Sequence, residues 1–127
     1  MSFEKVIFGF FVLLAATLNF GFFLGDIERP EVHSHIELYA ALVISIIATV
    51  LKLGDRTQIG AIHLATSLVA DLQLIGAAVL YTTARSGALD LDASMMSTIV
   101  SLSGGALFAN VVSVILLVVE TSSFRRR

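Results

Sequence analysis

Cysteine is absent from the chain, and so is tryptophan. Without a thiol there is no disulfide, no thiolate metal centre and no cysteine for lipid attachment. Proline occurs once, at Pro30, so no other position carries the residue that breaks helices. Charge is scarce as well, at 14% Asp, Glu, Lys and Arg, against about 25% in a soluble domain. A net charge of −2 offers nothing to a polyanion, and no nucleic-acid partner is expected. No P-loop, H-E-x-x-H motif or nucleophile–base pair occurs, so the chain does not read as an enzyme. An intramembrane aspartic protease would need a second acid, and Asp71 stands alone in its apolar run.

Apolar sequence fills the space that charge leaves. The 127 residues are 57% hydrophobic, with a mean hydropathy of +0.93. Four apolar runs stand out, at about 3–25, 37–53, 59–81 and 98–119. About 20 residues cross a bilayer as a helix. The expected fold is therefore all-α, a single transmembrane domain over 1–127 with four spanning helices in an up-down bundle. The first run follows Lys5 as a signal peptide would. It is too long and lacks an A-x-A site, so it reads as a retained helix.

The first helix holds seven of the nine phenylalanines, which suits lipid contact or an oligomer surface. Thr17, Gly21 and Gly25 share one face, where small residues let another helix approach closely. Asn19 is its one strongly polar side chain and reads as an interhelical hydrogen bond. The segment 26–36 is acidic and contains His33 and His35. Begun at Pro30, a helix sets Glu31 against His35 and His33 against Glu37 at i, i+4. Imidazole with carboxylate could take a divalent ion, although a solvated acidic helix start explains the same residues. In the second helix Ala41, Ser45 and Thr49 form a small stripe bearing hydroxyls. Gly54 suits a helix C-cap, and Asp55 with Gln58 reads as a capping box that opens the third helix. The fourth helix carries Ser101, Gly105, Ala109 and Ser113 at i+4, a helix-packing stripe, with Asn110 at mid-depth.

The third helix concentrates the chemistry. Asp71 falls near its middle, where an acid costs roughly 2.5–3.5 kcal/mol on insertion scales. A partner or a function must offset that cost. His63, Ser67 and Asp71 lie within an arc of about 80°, while Thr66 and Gln73 point elsewhere. Neither stripe suits lipid, so this helix is expected to be buried or to face a pore. A bis-His haem needs two imidazoles at one depth on facing helices. His33 and His35 lie across the membrane from His63, which leaves only a haem shared between two copies of His63. No cofactor is expected.

Lys5, Lys52, Arg56, Arg125, Arg126 and Arg127 fall on one side, against Arg29 and Arg85 on the other. The larger set belongs inside, so both termini are expected in the cytoplasm of a bacterial inner membrane. Tyr39 and Tyr81 then share the outer interface.

The four-helix layout resembles the small multidrug transporters and the fluoride channels. The residues depart from them, since the former place a Glu in the first helix, where this chain has Asn19. Both also often insert in two orientations, whereas the charge bias here fixes one. The stretch Leu53-Gly54-Asp55-Arg56-Thr57-Gln58-Ile59-Gly60, with Ala70-Asp71-Leu72-Gln73, is similar to short bacterial inner-membrane proteins classed as domains of unknown function. That resemblance covers the second and third helices and implies no activity.

The expected function is a homo-oligomeric cation or proton channel or transporter component. Asp71 would be the ion-binding or protonatable group, with Ser67, Gln73, His63 and Asn110 extending the path. The alternative is a non-conducting accessory or assembly subunit of a larger membrane complex. The bilayer, further copies of the chain and cations are the expected partners.

Overall fold

The computed structural model describes residues 3–24, 35–55, 57–88, 90 and 92–125. They form four helices: α1 (Phe3–Phe23), α2 (His35–Lys52), α3 (Gln58–Arg85) and α4 (Ala93–Arg125). Each helix packs against its neighbour in sequence, and α4 returns against α1, which gives an up-down bundle.

The bundle buries polar side chains and exposes apolar ones. Asn19, Ser45, Thr49, His63, Ser67, Asp71, Ser103, Asn110 and Ser113 are all buried. Phe3, Phe10, Phe20, Val43, Leu72, Val79, Phe108 and Ile115 are exposed. Water would penalise apolar surface of that extent, whereas hydrocarbon accepts it. Three helices are long and apolar enough to cross a membrane: Phe3–Phe23, Gln58–Arg85 and Ala93–Glu120. The chain is thus consistent with a membrane protein. The phenylalanines of α1 divide between two roles, with Phe8 and Phe22 fully buried and Phe3, Phe10 and Phe20 facing out. Nor is α3 enclosed on all sides, for Ile62, Leu68, Leu72, Ile75 and Val79 form an exposed apolar face.

Helix ends depart from the hydropathy pattern. α3 runs four residues past the expected end at 81, through Thr82, Thr83 and Ala84 to Arg85. α4 starts at Ala93 rather than 98 and continues to Arg125 rather than 119. Hydropathy marks where lipid ends, and polar residues continue a helix without cost beyond it. The gap expected between the runs ending at 81 and starting at 98 shrinks because Asp92 caps α4, its Oδ1 accepting from the Met95 N–H at 2.8 Å. Gly87, with φ of 93°, supplies the left-handed turn after α3. Gly54 has no positive φ and is not such a cap.

The capping box at Asp55 and Gln58 also takes another form. Thr57 is the N-cap of α3, its hydroxyl accepting from the Gly60 N–H at 3.0 Å. Asp55 stands outside the helix and holds the cap. Its Oδ1 accepts from the Thr57 N–H at 2.9 Å and from the Thr57 hydroxyl at 2.7 Å. A Cβ at Gly60 would collide with the Asp55 carboxylate, so glycine there makes room for the turn. These Thr57 bonds, with Lys52 at 3.4 Å, hold the Asp55 carboxyl below its usual value of 3.8. A lowered folded-state value means stability that is complete above the unfolded value and lost as pH falls through the folded one. Asp55→Asn is therefore expected to lower the melting temperature in detergent at pH 7. The difference from wild type should close as pH drops below 3.8. An unchanged difference at pH 2.5 would mean that charge on Asp55 contributes nothing.

Candidate functional site

Asp71 sits half-way along α3 and faces the hydroxyl stripe of α2. Ser45 Oγ donates to Asp71 Oδ1 at 2.7 Å, and Thr49 Oγ1 lies 2.5 Å from Asp71 Oδ2. Ser45 and Thr49 reach one carboxyl because they stand one helical turn apart on a single face. Thr49 Oγ1 is also 3.0 Å from the Ser45 carbonyl oxygen. It carries one proton and so can donate to only one of these two acceptors. With Asp71 ionised, Thr49 donates to the carboxylate. With Asp71 protonated on Oδ2, the acid donates to Thr49, which in turn donates to the Ser45 carbonyl. The same heavy-atom geometry satisfies both states.

The bundle core is divided along its length. Beyond Asp71, toward the end carrying Tyr39, it is mainly apolar: Phe22, Leu38, Leu74, Ala77, Tyr81, Met96 and Ile99 pack together, with Gln73 and the Asn19–Ser103 pair as polar exceptions. Tyr39 and Thr82 share a hydrogen bond of 2.5 Å at that end. Tyr81 turns inward, its ring meeting Phe22 edge-on. From Asp71 toward the end carrying Lys52, the core contains Ser67, Asn110, His63 and Ser113, all buried, beside a small apolar cluster of Phe8, Val12 and Ala48.

His63 is fully buried. Its Nδ1 is 2.8 Å from Ser113 Oγ, and the Phe8 ring lies edge-on at 5.0 Å. Lys52 Nζ stands 4.5 Å from the centre of the Phe8 ring. An imidazole enclosed in this way has no face for a haem shared with a second copy. At the same end Lys5 and Glu120 pair at 3.2 Å, joining the start of α1 to α4.

Several buried polar atoms have no hydrogen-bond partner among the described residues: His63 Nε2, Gln73 Oε1, Asn110 Nδ2 and Glu120 Oε1. Each such group costs about 1–3 kcal/mol when left unsatisfied. Gln73 lies against Gly105, where a Cβ would meet its amide. It is set apart from Asp71 on a second face of α3, as its spacing predicts.

Asn19 bonds across helices. Its Nδ2 donates to the Ser103 carbonyl at 2.8 Å, and the Ser103 hydroxyl donates to Asn19 Oδ1. Ser103 escaped the sequence reading, and Ser101 is a correction to it. Ser101 is exposed, while Ser103, Ala106, Asn110 and Ser113 form the buried face of α4. At 100° per residue those four lie within about 80°, and a strict i+4 series drifts off that face. A Cβ at Gly21 would collide with the Glu37 carboxylate on α2. Gly25, Glu31 and His33 lie outside the described residues, as does the side chain of His35. No group of three or more His, Cys, Asp or Glu residues suited to a metal occurs among the described residues.

No curated protein and no solved structure matches the chain. Residues 32–121, from just before α2 to the late part of α4, match a family of unknown function. The match includes Asp71, both of its hydroxyl partners, His63 and Asn110, extends past the second and third helices into the fourth, and leaves α1 outside. On that coverage the chain belongs to the family of unknown function DUF6394.

Proposed function

We propose that the protein is a component of a homo-oligomeric proton or cation channel or transporter, with Asp71 as the group that takes up and releases the ion. The observation that carries this reading is the Asp71 seat on Ser45 and Thr49, which accommodates the protonated and the ionised acid alike. A group of purely structural use needs only one of those states. A proton is the cargo this seat fits best, since both carboxyl oxygens already have hydroxyl neighbours. One bundle has an apolar plug beyond Asp71, so conduction would use an oligomer. The exposed Phe3, Phe10 and Phe20 of α1 offer a surface for it. The direct test is flux of H⁺, Na⁺ and K⁺ by purified protein in proteoliposomes, and a protein that passes none of them would end this reading.

The accessory-subunit reading has an observation of its own. Interhelical hydrogen bonds join α1 to α4, α2 to α3 and α3 to α4, as polar glue in a stable bundle would.

In either case α2 is a fourth span. Its 18 residues include the exposed apolar face Val43, Ile46 and Val50, which would lie against lipid beside the other helices. The Lys and Arg bias supports an orientation with both termini in the cytoplasm of an inner, or plasma, membrane. Reporter fusions after residue 127 and within 54–58 should read as cytoplasmic. Fusions near residues 31 and 87 should read as external. An external reading at 54–58 would overturn the span count or the orientation.

A further inference from the structure

We propose that the half of the bundle between Lys52 and Asp71 is a water-filled half-channel, open at the Lys52 end and closed beyond Asp71. It would pass His63 and Asn110 on the way. The proposal rests on the ion-handling reading of Asp71 for its cargo, but its hydration is independent of any flux.

The unpartnered polar atoms carry the argument. His63 is fully enclosed, yet its Nε2 meets no partner among the described residues, and the same is true of Asn110 Nδ2. His63 meets Ser113 and Gln73 lies against Gly105, so this antiparallel pair has a known register. Asn110 then stands level with about Ser67, one helical turn from His63 and one from Asp71. Ser67 is buried on the same face of α3 as both. Polar groups therefore recur at each turn between His63 and Asp71. Nearer the Lys52 end, Glu120 gives one oxygen to Lys5, and its buried Oε1 has no partner among the described residues.

Buried water satisfies such groups when polar atoms converge around it, and apolar cavities stay dry. The other half of the core differs in degree, since its polar groups are the self-satisfied Asn19–Ser103 pair and Gln73, which lies on a second face of α3. From Leu74 to Tyr81 the inward residues of α3 pack on Phe22, Leu38, Met96 and Ile99. The half-channel would let protons or a small cation reach Asp71 from one face only. An oligomer interface or a change in packing would be needed to release them on the other.

The chain contains no cysteine, so single thiols can be introduced without background. Ser67→Cys, Ser113→Cys and Ala77→Cys are equally enclosed sites, one pair in the polar half and one control in the apolar half. Each variant, in lipid nanodiscs and shown to be folded by its elution as a single species, is exposed to silver ion. Unreacted thiol is then counted after denaturation. Thiols at 67 and 113 should be consumed at least tenfold faster than at 77. Ser113→Cys serves where Ser67→Cys does not fold. Equal protection at 67, 113 and 77 would overturn the half-channel, even if the protein conducts. Fast reaction at 67 and 113 in a protein that carries no ion would sustain the half-channel and defeat the transport reading.

Discussion

Asp71→Asn is expected to yield a folded protein whose flux falls by about 10²-fold, the scale on which a positioned proton-transfer group acts. The substitution is nearly isosteric. The Asn carbonyl can accept from Ser45, and its amide can donate to Thr49, whose hydroxyl then turns to the Ser45 carbonyl. Interhelical hydrogen bonds of this type average about 0.6 kcal/mol in membranes, so the bundle should survive. What disappears is the ability to exchange a proton or bear a charge. Asp71→Glu should keep part of the flux with a displaced pH dependence, because the carboxyl is retained one methylene away from its hydroxyl partners. Thr49→Val removes the hydroxyl that adjusts to both states, and should lower flux while sparing the fold. The accessory-subunit reading expects something different, since Asn would then match wild type in every assay of stability and assembly. Full flux in Asp71→Asn would remove Asp71 from the path.

Much of this arrangement was legible in the residues. An acid in mid-span, a hydroxyl stripe on the preceding helix and a short turn between them were each visible, but nothing in their spacing paired the stripe with the acid. That Ser45 and Thr49 are the pair that reaches Asp71 depends on the register of α2 against α3. The turn sets that register through Asp55 and Thr57, and hydropathy carries no information about it. Asn19 was readable as an interhelical bond because an amide in lipid must find a partner. Its partner Ser103 was not, because serines at 101, 103 and 113 are indistinguishable until the face of α4 is known. The mainly apolar packing beyond Asp71 was not read from the sequence. Leu74, Ala77 and Ala78 follow Asp71 in sequence, but the residues that close the plug, Phe22, Leu38 and Met96, come from three other segments.

Gly105→Leu is expected to destabilise the bundle strongly, where Ser101→Leu one turn away does not. Both positions belong to the same i+4 series, so sequence spacing treats them alike. Ser101 faces outward, where leucine meets lipid at no cost. Gly105 faces α3, and even a Cβ there would land on the Gln73 amide. Inserting side-chain volume into a packed seam costs about 1–3 kcal/mol. Leucine adds three carbons beyond that Cβ, which should bring the loss to the upper part of this range. The measurement is the temperature at which each variant loses its monodisperse elution in detergent, and equal values for the two leucine variants would mean that α3 and α4 do not meet at Gly105. A milder pair identifies the cause. Gly105→Ala introduces only the Cβ and should lower stability by a fraction of that amount as the Gln73 side chain moves aside. Adding Gln73→Ala removes the obstructing amide, together with its unpartnered Oε1. The double variant should then recover most of what Gly105→Ala lost, and a loss that persists in it would place the clash on the α3 backbone instead.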